Sequence, residues 1–88
     1  MENAVDEAVA TIESAANGIS GASMAGDVAY AKTRHAEIVE AVKQLPAEVG
    51  DAIRQKADEM LAICPQRNIH KSNTLNWAIA ELLAPFCD

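Results

Sequence analysis

The sequence predicts an all-α protein, a small antiparallel bundle of about four helices. Three observations favour this fold class. Apolar residues recur at spacings of three and four, no segment alternates strictly between apolar and polar residues, and Gly, Pro or capping residues separate the apolar stretches. The 88 residues are enough for one domain, to which we assign residues 1–88. Half of the residues are apolar, which is untypical of a disordered chain.

Helix 1 is predicted over residues 4–17. Asn3 is a suitable N-cap, and Asn17-Gly18 is a typical stop signal because both residues tolerate the left-handed backbone conformation. Residues 17–26 are rich in Gly, Ser and Ala, so we expect a flexible linker there. This segment lacks the Gly-Lys-Ser/Thr sequence of a phosphate-binding loop.

Helix 2 is predicted over residues 24–45, where apolar positions recur at alternating spacings of four and three. Gly26 weakens the first turn, so the firm helix could begin with Asp27 as its N-cap. The central positions of the pattern, which we name the helix 2 seam, are Val28, Ala31, His35, Ile38 and Val42.

Helix 3 is predicted over residues 47–64, between Pro46 and Cys64-Pro65. Helix 4 is predicted over residues 72–84, with Ser72 or Asn73 as its N-cap. Its spacing places apolar side chains on one inner face, with two more at the margins of that face. The inner positions are Leu75, Ile79, Leu82 and Phe86, and the marginal ones are Trp77 and Leu83.

The net charge of −6 is unevenly distributed, since residues 1–31 contain no Lys or Arg. An acidic chain repels phosphates, so direct nucleic-acid binding is not expected. Glu2, Asp6 and Glu13 share one side of helix 1, which we name the acidic ridge. The ridge borders the apolar face and could bind a basic partner. The alternative is a solvated flank whose carboxylates suit the positive end of the helix dipole.

A basic junction follows helix 3 and comprises Arg67, His70 and Lys71. Positive charge near the start of helix 4 could form an anion or partner contact. Helix 4 would then resemble the reading helix of a helix-turn-helix DNA-binding module, although the acidic net charge disfavours that function. The simpler interpretation is that these residues favour the negative end of helix 3.

No pattern of metal ligands or catalytic residues appears. The two Cys and two His residues do not fall in close pairs, so we expect no metal site, no cofactor and no enzymatic activity. Cys64 is expected to be reduced and at least partly buried. His35 could fix the register or pH dependence of an oligomer, or it could simply be half-buried with a ring nitrogen in solvent.

These observations predict a protein-binding regulator or inhibitor that covers a partner's basic, possibly nucleic-acid-handling surface. Its size and charge would suit a viral or mobile-element protein. The alternative is a self-assembling structural subunit, a homodimer through the helix 2 seam. The acidic start and the lack of a long apolar run predict a soluble, cytoplasmic protein without membrane association.

Overall fold

Four α-helices form the protein, which a computed structural model describes over residues 3–87. They are α1 (Ala4–Ala25), α2 (Val28–Ala41), α3 (Ala47–Ile63) and α4 (Ile69–Leu83). One turn of 3₁₀-helix follows each of the last three, at Val42–Gln44, Cys64–Gln66 and Ala84–Phe86. The described residues contain no strand, so the predicted all-α fold class is confirmed.

The first helix is longer than predicted. Asn3 caps it as expected, since its Oδ1 accepts a hydrogen bond from the Asp6 backbone N–H at 2.9 Å. The helix then continues through Asn17 to Ala25 and ends at Gly26, whose φ of 66° is left-handed. The predicted end at residue 17 and the flexible linker over 17–26 are therefore wrong.

Tertiary packing keeps α1 helical through its glycines. Ile19 and Ser23 are fully buried, and burial of an isoleucine side chain contributes about 1.5–3 kcal/mol. Each glycine in a helix interior costs only about 1 kcal/mol relative to alanine. At Gly18 the missing side chain is also useful, because a Cβ there would lie 2.7 Å from Nε of Arg34 in α2. The glycine lets Arg34 lie against the helix.

The second helix begins later than the predicted residue 24. Met24 belongs to α1, and Asp27 caps α2 by accepting a hydrogen bond from the Tyr30 N–H at 3.1 Å. The firm start at Asp27 therefore agrees with the structure. At the other end, the 3₁₀ turn brings Val42 so close to α3 that a Cβ on Gly50 would lie 2.9 Å from its carbonyl oxygen. The close approach requires glycine at position 50.

The third helix matches its predicted range to within one residue, whereas the fourth begins three residues earlier than predicted. Asn68 is the N-cap of α4, because its Oδ1 accepts a hydrogen bond from the Lys71 N–H at 3.1 Å. The predicted caps, Ser72 and Asn73, lie inside the helix. Ser72 is fully buried, so its hydroxyl serves packing and not capping.

The core lies between the four helices, where α1 packs mainly against α2 and α4, and α3 packs mainly against α4 and α2. Its largest fully buried apolar side chains come from all four helices: Ile12, Ile19, Ile38, Ile53, Met60, Ile79 and Leu83. Buried alanines fill the space between them: Ala8, Ala15, Ala16, Ala22, Ala31 and Ala57. Alanine allows the helix axes to come close, although each one removes little apolar area from water.

The helix 2 seam is part of this core. Ala31 and Ile38 are fully buried within the single chain, and Val42 is nearly so. The seam therefore packs against the chain's own helices. Val28 and His35 are only half-buried, so part of the seam is still accessible, and the dimer contact through it stays a prediction.

The two interior glycines of α1 should respond differently to alanine. A Cβ at Gly21 would meet no atom within 4 Å, so Gly21→Ala should raise the free energy of unfolding by about 0.5–1 kcal/mol. Gly18→Ala should give no such gain, because its Cβ would displace Arg34 from its 2.8 Å hydrogen bond with Ser14. Urea denaturation followed by circular dichroism measures both. Equal gains in the two variants would contradict the Arg34 packing.

The start of α4 can be tested through its cap. Asn68→Ala should lower the free energy of unfolding by about 0.5–2 kcal/mol, whereas Asn68→Gly should cost only a few tenths. Gln66→Ala is the matched control, since Gln66 is exposed at the end of the preceding 3₁₀ turn, two residues before Asn68, and makes no side-chain hydrogen bond. Thermal denaturation of the three variants gives the comparison. A cap at Ser72 or Asn73 would leave Asn68→Ala close to the control.

Candidate functional site

Helices α1 and α4 pack antiparallel through a row of polar side chains. Three hydrogen-bonded pairs join them, and the residue number rises on α4 as it falls on α1. Ser23 donates to Oγ of Ser72 at 3.3 Å, Ser20 donates to Oδ1 of Asn73, and Asn76 donates to Oδ1 of Asn17 at 2.8 Å. The pairs fix the register between the helices, because each polar group would lose its partner if α4 slipped along α1.

A cleft of about 260 Å³ opens beside the last of these pairs. Its polar lining comes from Glu13, Asn17 and Asn76, and its aromatic lining is Trp77. The buried Ile79 and Leu83 contribute its inner wall. The site thus combines a carboxylate, two amides, an indole ring and an apolar wall.

Trp77 projects into solvent at the edge of this cleft. Its exposed fraction is 72%, the largest among the exposed large apolar residues of the described chain. The prediction that Trp77 flanks the packing face is therefore wrong, and Leu83, the other predicted marginal residue, is instead fully in the core. Tryptophan is enriched among the residues that dominate binding interfaces, so Trp77 is a candidate contact residue.

Two more exposed apolar residues border the same pair of helices. Met24 follows Asn17 and Ser20 on the same side of α1, and Ile69 lies about two helical turns before Trp77 on α4. We name the surface formed by Glu13, Met24, Ile69 and Trp77 the α1–α4 face. One end of this face is apolar and the other is acidic.

The acidic ridge leads into the cleft. Asp6 and Glu13 are exposed on α1, whereas Glu2 lies outside the described residues. Glu13 lines the cleft with Trp77, and the Cys87 sulfur lies 3.9 Å from its Oε1. Sequence reasoning did not bring Glu13 and Trp77 together. The signal was the recurrence of Glu13, Asn17, Ser20 and Met24 on one side of α1, which is visible only if the helix continues past residue 17.

His35 has a partner that the sequence did not indicate. Its Nε2 lies 2.6 Å from Oδ1 of Asp58 on α3, and the imidazole side chain is 19% exposed. The predicted half-buried position agrees with this. The partner was missed because Asp58 is on another helix, and only the packing of α2 against α3 brings the two side chains together. This pair belongs to a different helix contact from the cleft.

The cysteines and acidic residues form no metal centre in the part of the chain described. No group of three or more His, Cys, Asp or Glu side chains converges within residues 3–87. Cys64 is fully buried, as expected, and Cys87 is exposed, with its thiol 3.5 Å from the Leu83 carbonyl oxygen. No disulfide joins Cys64 to Cys87.

The basic junction is exposed but is tied to α1. Arg67 adopts a left-handed backbone with φ of 55°, and its side chain passes over Gly26, where a Cβ would lie 3.3 Å from its Nε. Its positive charge therefore lies at the C-terminal, negative end of α1. His70 and Lys71 lie in the first turn of α4, because that helix begins earlier than predicted. Arg67 therefore packs against the end of α1, whereas His70 and Lys71 belong to α4.

No protein-family model, curated protein or solved structure matches the chain significantly. Over residues 3–87, none of the helices has both the length and the apolar character that a membrane span requires.

The exposure of Trp77 gives a direct spectroscopic prediction. Because it is the only tryptophan, its emission maximum should match that of an indole in water, and acrylamide should quench it nearly as well as in the unfolded chain. Fluorescence spectra of the native and urea-unfolded protein make the comparison. Blue-shifted, protected emission from the native protein would contradict the exposed position.

Proposed function

We propose that the protein is a non-enzymatic binding module, a small regulator or inhibitor that covers a basic surface of another protein with its α1–α4 face. The observation that carries this proposal is the cleft in which Glu13 of the acidic ridge lies beside the exposed Trp77. Tryptophan is among the residues most enriched at binding hot spots, and its large ring buries apolar area when a partner docks.

The net charge of the chain supports a partner with a positively charged surface. Net charge of −6 and a first stretch of 31 residues without Lys or Arg produce a negative potential around α1. Such a field speeds the encounter with a positively charged surface and disfavours other acidic partners. Basic protein surfaces commonly serve to bind nucleic-acid phosphates, so covering one would inhibit a nucleic-acid-handling partner.

Self-assembly is less well supported. Three of the five seam residues, Ala31, Ile38 and Val42, are buried in the core of the single chain, so little of the seam is left for a second copy. Pairing two α1–α4 faces would place the Glu13 carboxylate of each copy in an interface whose defining residues include no Lys or Arg. Like charges at an interface cost free energy, and a basic partner avoids that cost.

The test is capture of a partner from the native host, followed by calorimetric titration of that purified partner. Trp77→Ala should weaken binding by about tenfold or more, as expected for an aromatic hot spot, and added salt should weaken it further. Glu13→Gln removes one negative charge from the cleft. Its matched control is Glu48→Gln, which removes one negative charge from an exposed position in the first turn of α3. A partner whose affinity is insensitive to salt and to Trp77→Ala would overturn the proposal.

A further inference from the structure

We infer that the cleft between α1 and α4 binds one arginine side chain of the partner, with the guanidinium held between the Glu13 carboxylate and the Trp77 ring. The inference rests on the proposed function and specifies its chemistry. It depends on which groups line the cleft and on how large the cleft is.

The polar lining matches a planar cation. A guanidinium offers five N–H donors in one plane, and a carboxylate accepts two of them side by side. Glu13 supplies that carboxylate, and the side-chain amide of Asn17 or Asn76 adds an oxygen acceptor nearby. Their mutual 2.8 Å hydrogen bond holds the two amides in place, so the acceptors are ordered before a ligand arrives.

The aromatic and apolar lining distinguishes arginine from other cations. The guanidinium stacks flat on an indole ring, whereas the lysine ammonium is a strongly hydrated point charge. The exposed Ala80, beside the buried Ile79 and Leu83, offers apolar surface to the methylene stem of the side chain. The combination of a carboxylate with an indole therefore favours arginine over lysine, and favours both over a neutral side chain.

The size of the cleft fits one side chain. Its volume of about 260 Å³ lies below the range of roughly 300–1,000 Å³ typical of small-molecule and cofactor sites. The exposed Met24 and Ile69 continue the face beyond the cleft, along about 16 Å of α1 between Met24 and Glu13 at 1.5 Å per residue. An arginine within a protein segment can use this apolar end as well, which the free amino acid cannot.

The test is a nuclear magnetic resonance titration of the full chain with three small probes: N-acetylated, amidated arginine, lysine and citrulline. Citrulline has nearly the shape of arginine without its charge. The arginine probe should shift the single indole N–H resonance and the side-chain amide resonances of Asn17 and Asn76 saturably. Lysine should bind about two- to fivefold more weakly, since it forgoes stacking on the ring, and citrulline should cause no saturable shift.

Two variants assign the site. Glu13→Gln should weaken arginine binding by about fivefold, the effect of one exposed ion pair, whereas Glu48→Gln should leave it unchanged. Trp77→Leu keeps apolar bulk without the aromatic ring, and should weaken binding by about two- to fivefold when followed on the Asn17 amide. Both positions are exposed, so each variant should fold, and backbone spectra check this.

Three results would overturn the inference. They are no saturable shift with the arginine probe, equal binding of the three probes, or arginine binding unchanged in both site variants. The proposed function fails separately. If Trp77→Ala weakens binding of the host partner while the arginine probe does not bind, the proposed function stands and only the arginine assignment fails. If the partner binds Trp77→Ala as tightly as the unaltered chain, both fail.

Discussion

Arg34 of α2 lies against α1 at Gly18, where a Cβ would come within 2.7 Å of its Nε, and from there it reaches Ser14 and Glu37. This close approach of α2 to an uninterrupted α1 is the contact on which the other packing depends. If α1 ended at Gly18, Ile19 would leave the core and Ser23 would lose its place beside α4. The helix α1, which carries the acidic ridge, therefore also positions α4 and its side of the cleft.

The polar pairs between α1 and α4 fix the register of the two helices, and through it the position of Trp77 relative to Glu13. Ser23 and Ser72 are fully buried, and a buried polar pair commonly specifies one register among several that apolar residues alone would allow. Slipping α4 by one turn would move Trp77 by about 5.4 Å along α1. That distance is enough to separate its ring from the Glu13 carboxylate, so the buried hydroxyl pair and the exposed cleft are parts of one arrangement.

Sequence patterns predicted the fold class and the range of α3 because those rest on local signals: apolar spacing, Pro46 and Cys64-Pro65. Asn17-Gly18 was misinterpreted because its stop signal is local, whereas the burial of Ile19 and the contact with Arg34 are tertiary. The start of α4 was missed because Asn68 competes with equally good caps at residues 72 and 73. The cleft itself joins Glu13 to a tryptophan 64 positions later, and only helix packing specifies such a pair.

The buried alanines constrain how this sequence can change. Ala15, Ala16, Ala31 and Ala57 are fully enclosed at helix contacts, where the neighbouring backbones leave no volume for a larger side chain. Replacing any of them by valine or leucine would push two helices apart, at a typical cost of about 1–3 kcal/mol. The few large core residues resist the opposite change, because truncating an isoleucine or methionine to alanine leaves a cavity and costs about 2–5 kcal/mol. Selection on this chain would therefore keep the alanines small and the isoleucines large, each at its own position.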